Sequence, residues 1–214
     1  MKFLFFLLFG MGVFALSLIG YKKYQNTTLY ALAIGGVVNA NYFNGITTPI
    51  QCFGLPFGID SLIYTLFAFC VMVVFLNEGK RSACLITVSS VVAIMFSAVM
   101  ELVAKLFTLG NSAEIWMSFL TFTSSALASL LASFITIHIL SRLQNRNAYG
   151  CMALGIVLIT GLNAAIYYPL CALISQSGIP WLHVAASFIG KGIALVYSLL
   201  ALKLLNVLKN KTKV

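Results

Sequence analysis

Residues 59–76 read IDSLIYTLFAFCVMVVFL, and Asp60 is the only charged residue among these eighteen. A helix needs about 20 mainly apolar residues to cross the hydrocarbon core of a bilayer. The whole chain has this character, since 61% of its 214 residues are hydrophobic and 8% are charged, whereas about 25% is usual in soluble domains. Because the apolar runs are continuous and do not alternate, they predict helices and not the strands of a membrane barrel.

Seven apolar stretches of this kind divide the chain at short, polar turns. They cover Phe3–Gly20, Thr28–Asn44, Ile59–Leu76, Ser82–Met100, Ile115–Leu140, Ala148–Leu173 and Val184–Leu208. We therefore predict an all-α integral membrane protein with about seven transmembrane helices and no internal repeat.

Lysine and arginine residues predict the orientation of these helices. Ten of the thirteen fall on one side of a seven-crossing chain: Lys22, Lys23, Lys80, Arg81, Arg142, Arg146, Lys203, Lys209, Lys211 and Lys213. Because positively charged turns stay in the cytoplasm, the N-terminus is predicted outside and the C-terminus inside. The prediction is a multi-pass protein of the cell inner (cytoplasmic) membrane. Topology also accounts for the net charge of +9, so the bilayer is the expected partner and nucleic acid is not.

The first stretch has two interpretations. Lys2 precedes an apolar run with small residues near Ala15 and Ser17, as in a cleaved signal peptide. Lys22 and Lys23 favour an anchor helix of reversed orientation, since a signal peptide would require these charges to be translocated.

The segment from Asn44 to Gly58 is too rich in glycine and proline for a regular helix and too apolar for a solvated loop. We predict a re-entrant or hairpin-like outer segment packed on the helices, as a lid or wall of a site.

Motifs of enzymes and metal sites are missing from the sequence. It contains no HExxH, GxSxG or Walker loop, and its five cysteines have no CxxC or Cys/His spacing. We predict no catalytic residue, no metal and no cofactor. A disulfide between Cys52 and Cys171 is chemically possible at the outer face, although ordinary buried thiols are favoured.

Lys191 is the most informative single residue, because it lies seven residues inside the last predicted span. An ammonium at that depth is costly unless it snorkels to the surface, pairs or faces water. Gly190 and Gly192 beside it favour close approach of another helix and hence an inward-facing lysine.

Four further residues are candidates for substrate binding, each with a structural alternative. Asn163 either bridges helices or contacts a ligand, Asn39 and Asn41 lie near the outer end of the second span, and Asp60 could cap the third helix. With Lys191 they all map to the outer half of the membrane. This distribution predicts a polar cavity open to the outside, suited to a planar, hydrogen-bonding small molecule.

Several short motifs resemble the queuosine precursor transporter family (the VUT or YhhQ group), which is similar in fold to vitamin-binding subunits of energy-coupling-factor transporters. The motifs are Asn41-Tyr42-Phe43 before the Pro/Gly segment, Ser125-Ala126-Leu127-Ala128-Ser129, Ile137-His138-Ile139-Leu140-Ser141-Arg142-Leu143 and Lys191 before a basic tail. The resemblance implies a six-helix transporter domain over residues 27–214, with residues 1–26 as an added helix and basic turn. It also implies uptake of a 7-deazaguanine-type base or a similar vitamin-like heterocycle. Asn163 and Thr136 stand where the family carries acidic residues, and no arginine occurs near Leu120.

Two other functions fit the same residues. The chain could be a substrate-binding subunit that needs an ATPase module, and the small-residue face from Ala126 to Ala132 could dock such a partner. A second copy of the chain, in a homo-oligomer, is the other possible protein partner. The chain could also be a non-transporting membrane assembly factor or complex subunit.

Overall fold

The computed structural model describes residues 2–46, 50–52, 55–108, 112–143, 147–176 and 178–205. These residues form seven helices and one short two-stranded sheet. The helices are α1 (Lys2–Tyr24), α2 (Asn26–Ile46), α3 (Ile59–Glu78), α4 (Lys80–Thr108), α5 (Ser112–Arg142), α6 (Ala148–Ser175) and α7 (Trp181–Leu205). The strands are β1 (Ile50–Cys52) and β2 (Leu55–Phe57). The predicted helical fold is confirmed.

Five of the described helices are long and apolar enough to cross a membrane, which indicates a multi-pass membrane protein. The apolar spans are Ser61–Glu78, Lys80–Phe107, Ile115–Arg142, Ala148–Ser175 and Trp181–Leu200. Residues Thr27–Ala40 of α2 form a shorter apolar stretch.

Helix α3 lies at the centre of the bundle and packs against α2, α4, α6 and α7. Its apolar span is 78% buried, against 33% for that of α4, whose Val92 and Phe96 side chains point outward. This position explains why residues 66–76 are apolar on every side, since a helix surrounded by other helices has no solvated face.

Helix α6 comes close to α3 at Gly155. A Cβ atom at this position would lie 2.3 Å from the Sδ and Cε atoms of Met72. Gly155 therefore permits the two helices to approach, as small residues do in membrane bundles, where close packing replaces the hydrophobic effect as a driving force.

The irregular segment between α2 and α3 forms a hairpin over its described residues. Strands β1 and β2 pair antiparallel, with Ile50 opposite Phe57 and Cys52 opposite Leu55. Strand β2 contacts α7, and β1 contacts α1. The hairpin-like prediction is confirmed for these strands, whereas residues 47–49 and 53–54 lie outside the described residues.

Candidate functional site

Lys191 lies inside the bundle. It is ten residues beyond Trp181, the first residue of α7, or about 15 Å along the helix axis. Its side chain is 7% exposed, and Nζ donates a hydrogen bond of 3.3 Å to the carbonyl oxygen of Thr160 on α6. Nζ also lies 5.9 Å from the centroid of the Phe188 ring. The ammonium group is therefore buried between α6 and α7 and does not snorkel to the surface.

The two glycines beside Lys191 differ in placement. The sequence predicted close helix approach at Gly190 and Gly192. Gly190 is buried, whereas Gly192 is exposed and a Cβ atom there would meet no atom within 4 Å. Lys191 is buried because its own face of α7 meets α6. Gly192 lies on a more open face of the same helix.

Asn163 joins α6 to α5. Its side chain is 7% exposed, and Nδ2 donates a hydrogen bond of 3.0 Å to Oγ of Ser129. This bond uses one of the hydrogen-bonding groups of the buried amide. It is the contact expected if Asn163 bridges two helices, which is one of its two predicted roles.

Two further hydrogen bonds between helices involve residues outside the predicted site. Tyr64 on α3 is bonded to Ser125 on α5, and Ser61 on α3 donates to Ser187 on α7 over 3.4 Å. Ser125 is four residues from Ser129, and Ser187 is four residues from Lys191, so each pair shares a helix face.

These contacts close a loop around α3, α5, α6 and α7. The members are Ser61, Tyr64, Ser125, Ser129, Asn163, Thr160, Lys191 and Ser187, which we call the polar cluster. Neighbouring members are either hydrogen-bonded between helices or three to four residues apart on one helix. Apart from Tyr64, which is partly buried, every member is at most 7% exposed. The bundle thus contains a buried polar region that links four separate helices.

No family model, curated protein or solved structure matches this chain. The resemblance to the queuosine precursor transporter family therefore remains a prediction from the motifs. The polar cluster has to be interpreted from its own chemistry.

The other predicted site residues have different placements. Asn39 is exposed, and its Nδ2 donates to the carbonyl oxygen of Gly35 on the same helix over 2.7 Å, so it does not belong to the polar cluster. Asn41 lies in α2 and Asp60 in α3, but their side chains are outside the described residues. The N-cap of α3 is Gly58, without a side-chain cap, and Asp60 directly precedes Ser61 of the polar cluster.

Several side chains outside the polar cluster can be described in structural terms alone. Lys105 forms an ion pair of 2.5 Å with Glu101, one turn earlier on α4. Trp116 and Trp181 are 56% and 71% exposed near helix ends, as expected of residues in the membrane interface. Cys171 is a free thiol, while the side chain of Cys52 is outside the described residues. The described residues contain no group of three metal-ligating side chains.

The polar cluster combines three kinds of hydrogen-bonding group. Lys191 supplies a charged donor, Asn163 supplies an amide that both donates and accepts, and each hydroxyl can do the same. Hydrogen bonds from a charged donor are about twice as strong as neutral ones. Such a set of groups can bind a small, planar molecule with carbonyl or ring-nitrogen acceptors.

Replacing Asn163 tests whether its bond to Ser129 stabilises the helix bundle. In a double-mutant cycle of Asn163→Ala and Ser129→Ala, we expect a coupling of about 0.6 kcal/mol in the free energy of unfolding, the usual size for such bonds in membrane proteins. Thermal unfolding of the purified variants measures the coupling. The control is Asn39→Ala, which removes an amide that bonds to its own helix. A coupling of zero would show that the Asn163–Ser129 bond contributes nothing to stability.

Proposed function

We propose that this protein is a small-molecule uptake transporter, and that the polar cluster binds the transported molecule. The observation that supports the proposal most is the burial of Lys191 in a closed loop of polar groups. A membrane bundle that needed only stability would gain little from a buried ammonium, since desolvating an ion is unfavourable. Ionisable groups inside membrane helices are characteristic of substrate and ion pathways.

The proposed substrate is a queuosine precursor of the 7-deazaguanine type or a similar vitamin-like heterocycle. The amide, hydroxyl and ammonium groups of the polar cluster suit the edge of such a base. Tyr64 adds an aromatic ring beside them, and flat aromatic molecules stack well on aromatic side chains.

We further propose seven crossings, with the N-terminus outside and the C-terminus in the cytoplasm of the inner membrane. Helices α1 and α2 contain 23 and 21 residues, or about 35 and 32 Å, against a hydrocarbon core of about 30 Å. In this orientation Ser61 and Ser187 lie near the outer ends of α3 and α7, so the polar cluster extends from the outer side towards mid-membrane.

The packing of α5 favours a transporter that works alone over one that needs an ATPase module. Ala126, Ala128 and Ala132 are at most 2% exposed, so these members of the small-residue face pack inside the bundle. Transport by facilitation or on an ion gradient is therefore the preferred form of the proposal.

A thermal-shift screen of the purified protein tests the proposed function. The panel contains 7-deazaguanine bases, guanine and a set of unrelated vitamins. A ligand at about 100 times its Kd stabilises the native state by about 2.7 kcal/mol, so a true substrate raises the melting temperature by several degrees. The active compound is then tested as a radiolabelled solute for uptake by cells that produce the protein.

Three outcomes would contradict this proposal. Uptake that depends on a co-purifying ATPase indicates the binding-subunit function. Binding without uptake in the absence of such a partner excludes a transporter that works alone. Full cellular function after joint replacement of Asp60, Asn163 and Lys191 indicates an assembly factor or complex subunit.

A further inference from the structure

Two buried hydroxyl groups on α5 differ from most other helix hydroxyls of the bundle. Ser133 and Thr136 are both 0% exposed, and neither hydroxyl has a hydrogen-bond partner among the described residues. Serine and threonine in membrane helices usually bond to a carbonyl of the preceding turn. Thr87 and Ser90 on α4 do so, with the carbonyls of Ala83 and Ile86. Because a buried polar group without a bond is unfavourable, these two hydroxyls point to a bound ligand.

Ser133 and Thr136 continue the polar cluster along α5. Ser133 follows Ser129 by four residues, and Thr136 follows by three more, so all three share one face of the helix. Since Ser129 bonds to Asn163 on α6, this face looks into the bundle. We call Ser129, Ser133 and Thr136 the hydroxyl track. It runs about 10 Å along the axis, from the polar cluster towards the Arg142 end of α5.

The groups of the hydroxyl track suit water better than a metal cation. Helix α5 is continuous from Ser112 to Arg142, so its carbonyl groups already accept hydrogen bonds within the helix and are poor ligands for a cation. The described track contains no carboxylate, and the nearby ammonium of Lys191 repels cations. A hydroxyl donates one hydrogen bond and accepts two, which is what a line of water molecules requires.

We propose that the hydroxyl track binds ordered water and forms a hydrated path from the polar cluster towards the Arg142 end of α5. Water binding is independent of the protein's function. The use of this path for release of a substrate rests on the transport function proposed above, in which the Arg142 end faces the cytoplasm.

Cysteine labelling tests the hydrated path. Ser133→Cys and Thr136→Cys are introduced into a variant in which the five native cysteines are replaced, and the thiols are treated with a charged, membrane-impermeant methanethiosulfonate in vesicles of both orientations. The matched controls are Ser90→Cys and Ser198→Cys, which are equally buried but whose native hydroxyls bond to their own helices. We expect both track thiols to react about tenfold faster than the controls, and from the side of Arg142, because only a hydrated thiol ionises and meets the reagent. Equal rates at all four positions would overturn the proposal.

Thr136→Val provides a second test that keeps the native cysteines. Valine has the shape of threonine without the hydroxyl. If Thr136 binds water, the variant loses those bonds and its melting temperature falls, as we also expect of the control Thr87→Val. If the hydroxyl is dry, its removal relieves an unfavourable burial and the melting temperature rises, which would overturn the proposal.

Neither measurement needs a substrate, so failure of the hydrated path and failure of the transport function are separable. A further comparison tests the release route alone. Saturation with the substrate found by thermal shift should slow the labelling of Ser133→Cys, and unchanged labelling would show that the substrate does not use this path.

Discussion

Lys191→Met is expected to lower substrate affinity and uptake about 100-fold. The substitution keeps an unbranched apolar side chain between α6 and α7 but removes the charge. A hydrogen bond to a charged group contributes about 1.5–3 kcal/mol, which corresponds to roughly 10- to 150-fold in affinity. Thermal-shift titration and radiolabelled uptake measure the change, and the melting temperature without ligand shows whether the variant is folded.

The matched control is Lys203→Met on the same helix. Lys203 is exposed in the last turns of α7, where a lysine side chain can reach the membrane surface. We expect this variant to bind and transport like the native protein. Native affinity in a folded Lys191→Met protein would exclude the ammonium from the binding site and remove the main support for the transport function.

The sequence was sufficient to predict the helices and the depth of Lys191 in the last span, while it left open whether the side chain snorkels or faces inward. A single charge inside an apolar run is visible without knowledge of the neighbouring helices, because its depth follows from residue counting. The helix ends were less predictable. Helix α4 continues eight residues past the predicted end at Met100, since the Glu101–Lys105 pair can extend a helix beyond the apolar core of the membrane.

The hydrogen bonds between helices in the polar cluster could not be predicted in the same way. A serine in an apolar helix can bond to its own backbone, as Ser90 does, or to another helix, as Ser129 does, and the residue itself does not distinguish the two. The four-residue spacing of Ser125, Ser129 and Ser133 was the available signal. Asn39 shows the same ambiguity, because the sequence offered it as a ligand contact and its amide bonds to its own helix.

Phe14→Ala is expected to have the largest effect on stability, because it removes the aromatic contact between α1 and the central helix α3. Phe14 and Phe69 are both fully buried, and their rings meet edge to face with centroids 5.3 Å apart. Loss of a buried phenylalanine costs about 3–5 kcal/mol in soluble proteins, and we expect about 2 kcal/mol here because lipid tails solvate the exposed groups. Thermal unfolding in one detergent gives the loss, and a cycle with Phe69→Ala gives the aromatic coupling, expected at about 1 kcal/mol.

The control for Phe14→Ala is Leu16→Ala, on the outward face of the same helix with 68% of its surface exposed. Equal melting temperatures for the two variants would show that α1 is not docked on α3.

The docking of α1 also affects the polar cluster. A Cβ atom at Gly10 would lie 2.7 Å from Cδ1 of Leu62 and 3.5 Å from Cδ2 of Tyr197, so α1 approaches both α3 and α7. Because these two helices contribute Ser61 and Lys191, an undocked α1 loosens the support of the site. Phe14→Ala should therefore weaken substrate binding even though Phe14 is not a member of the polar cluster.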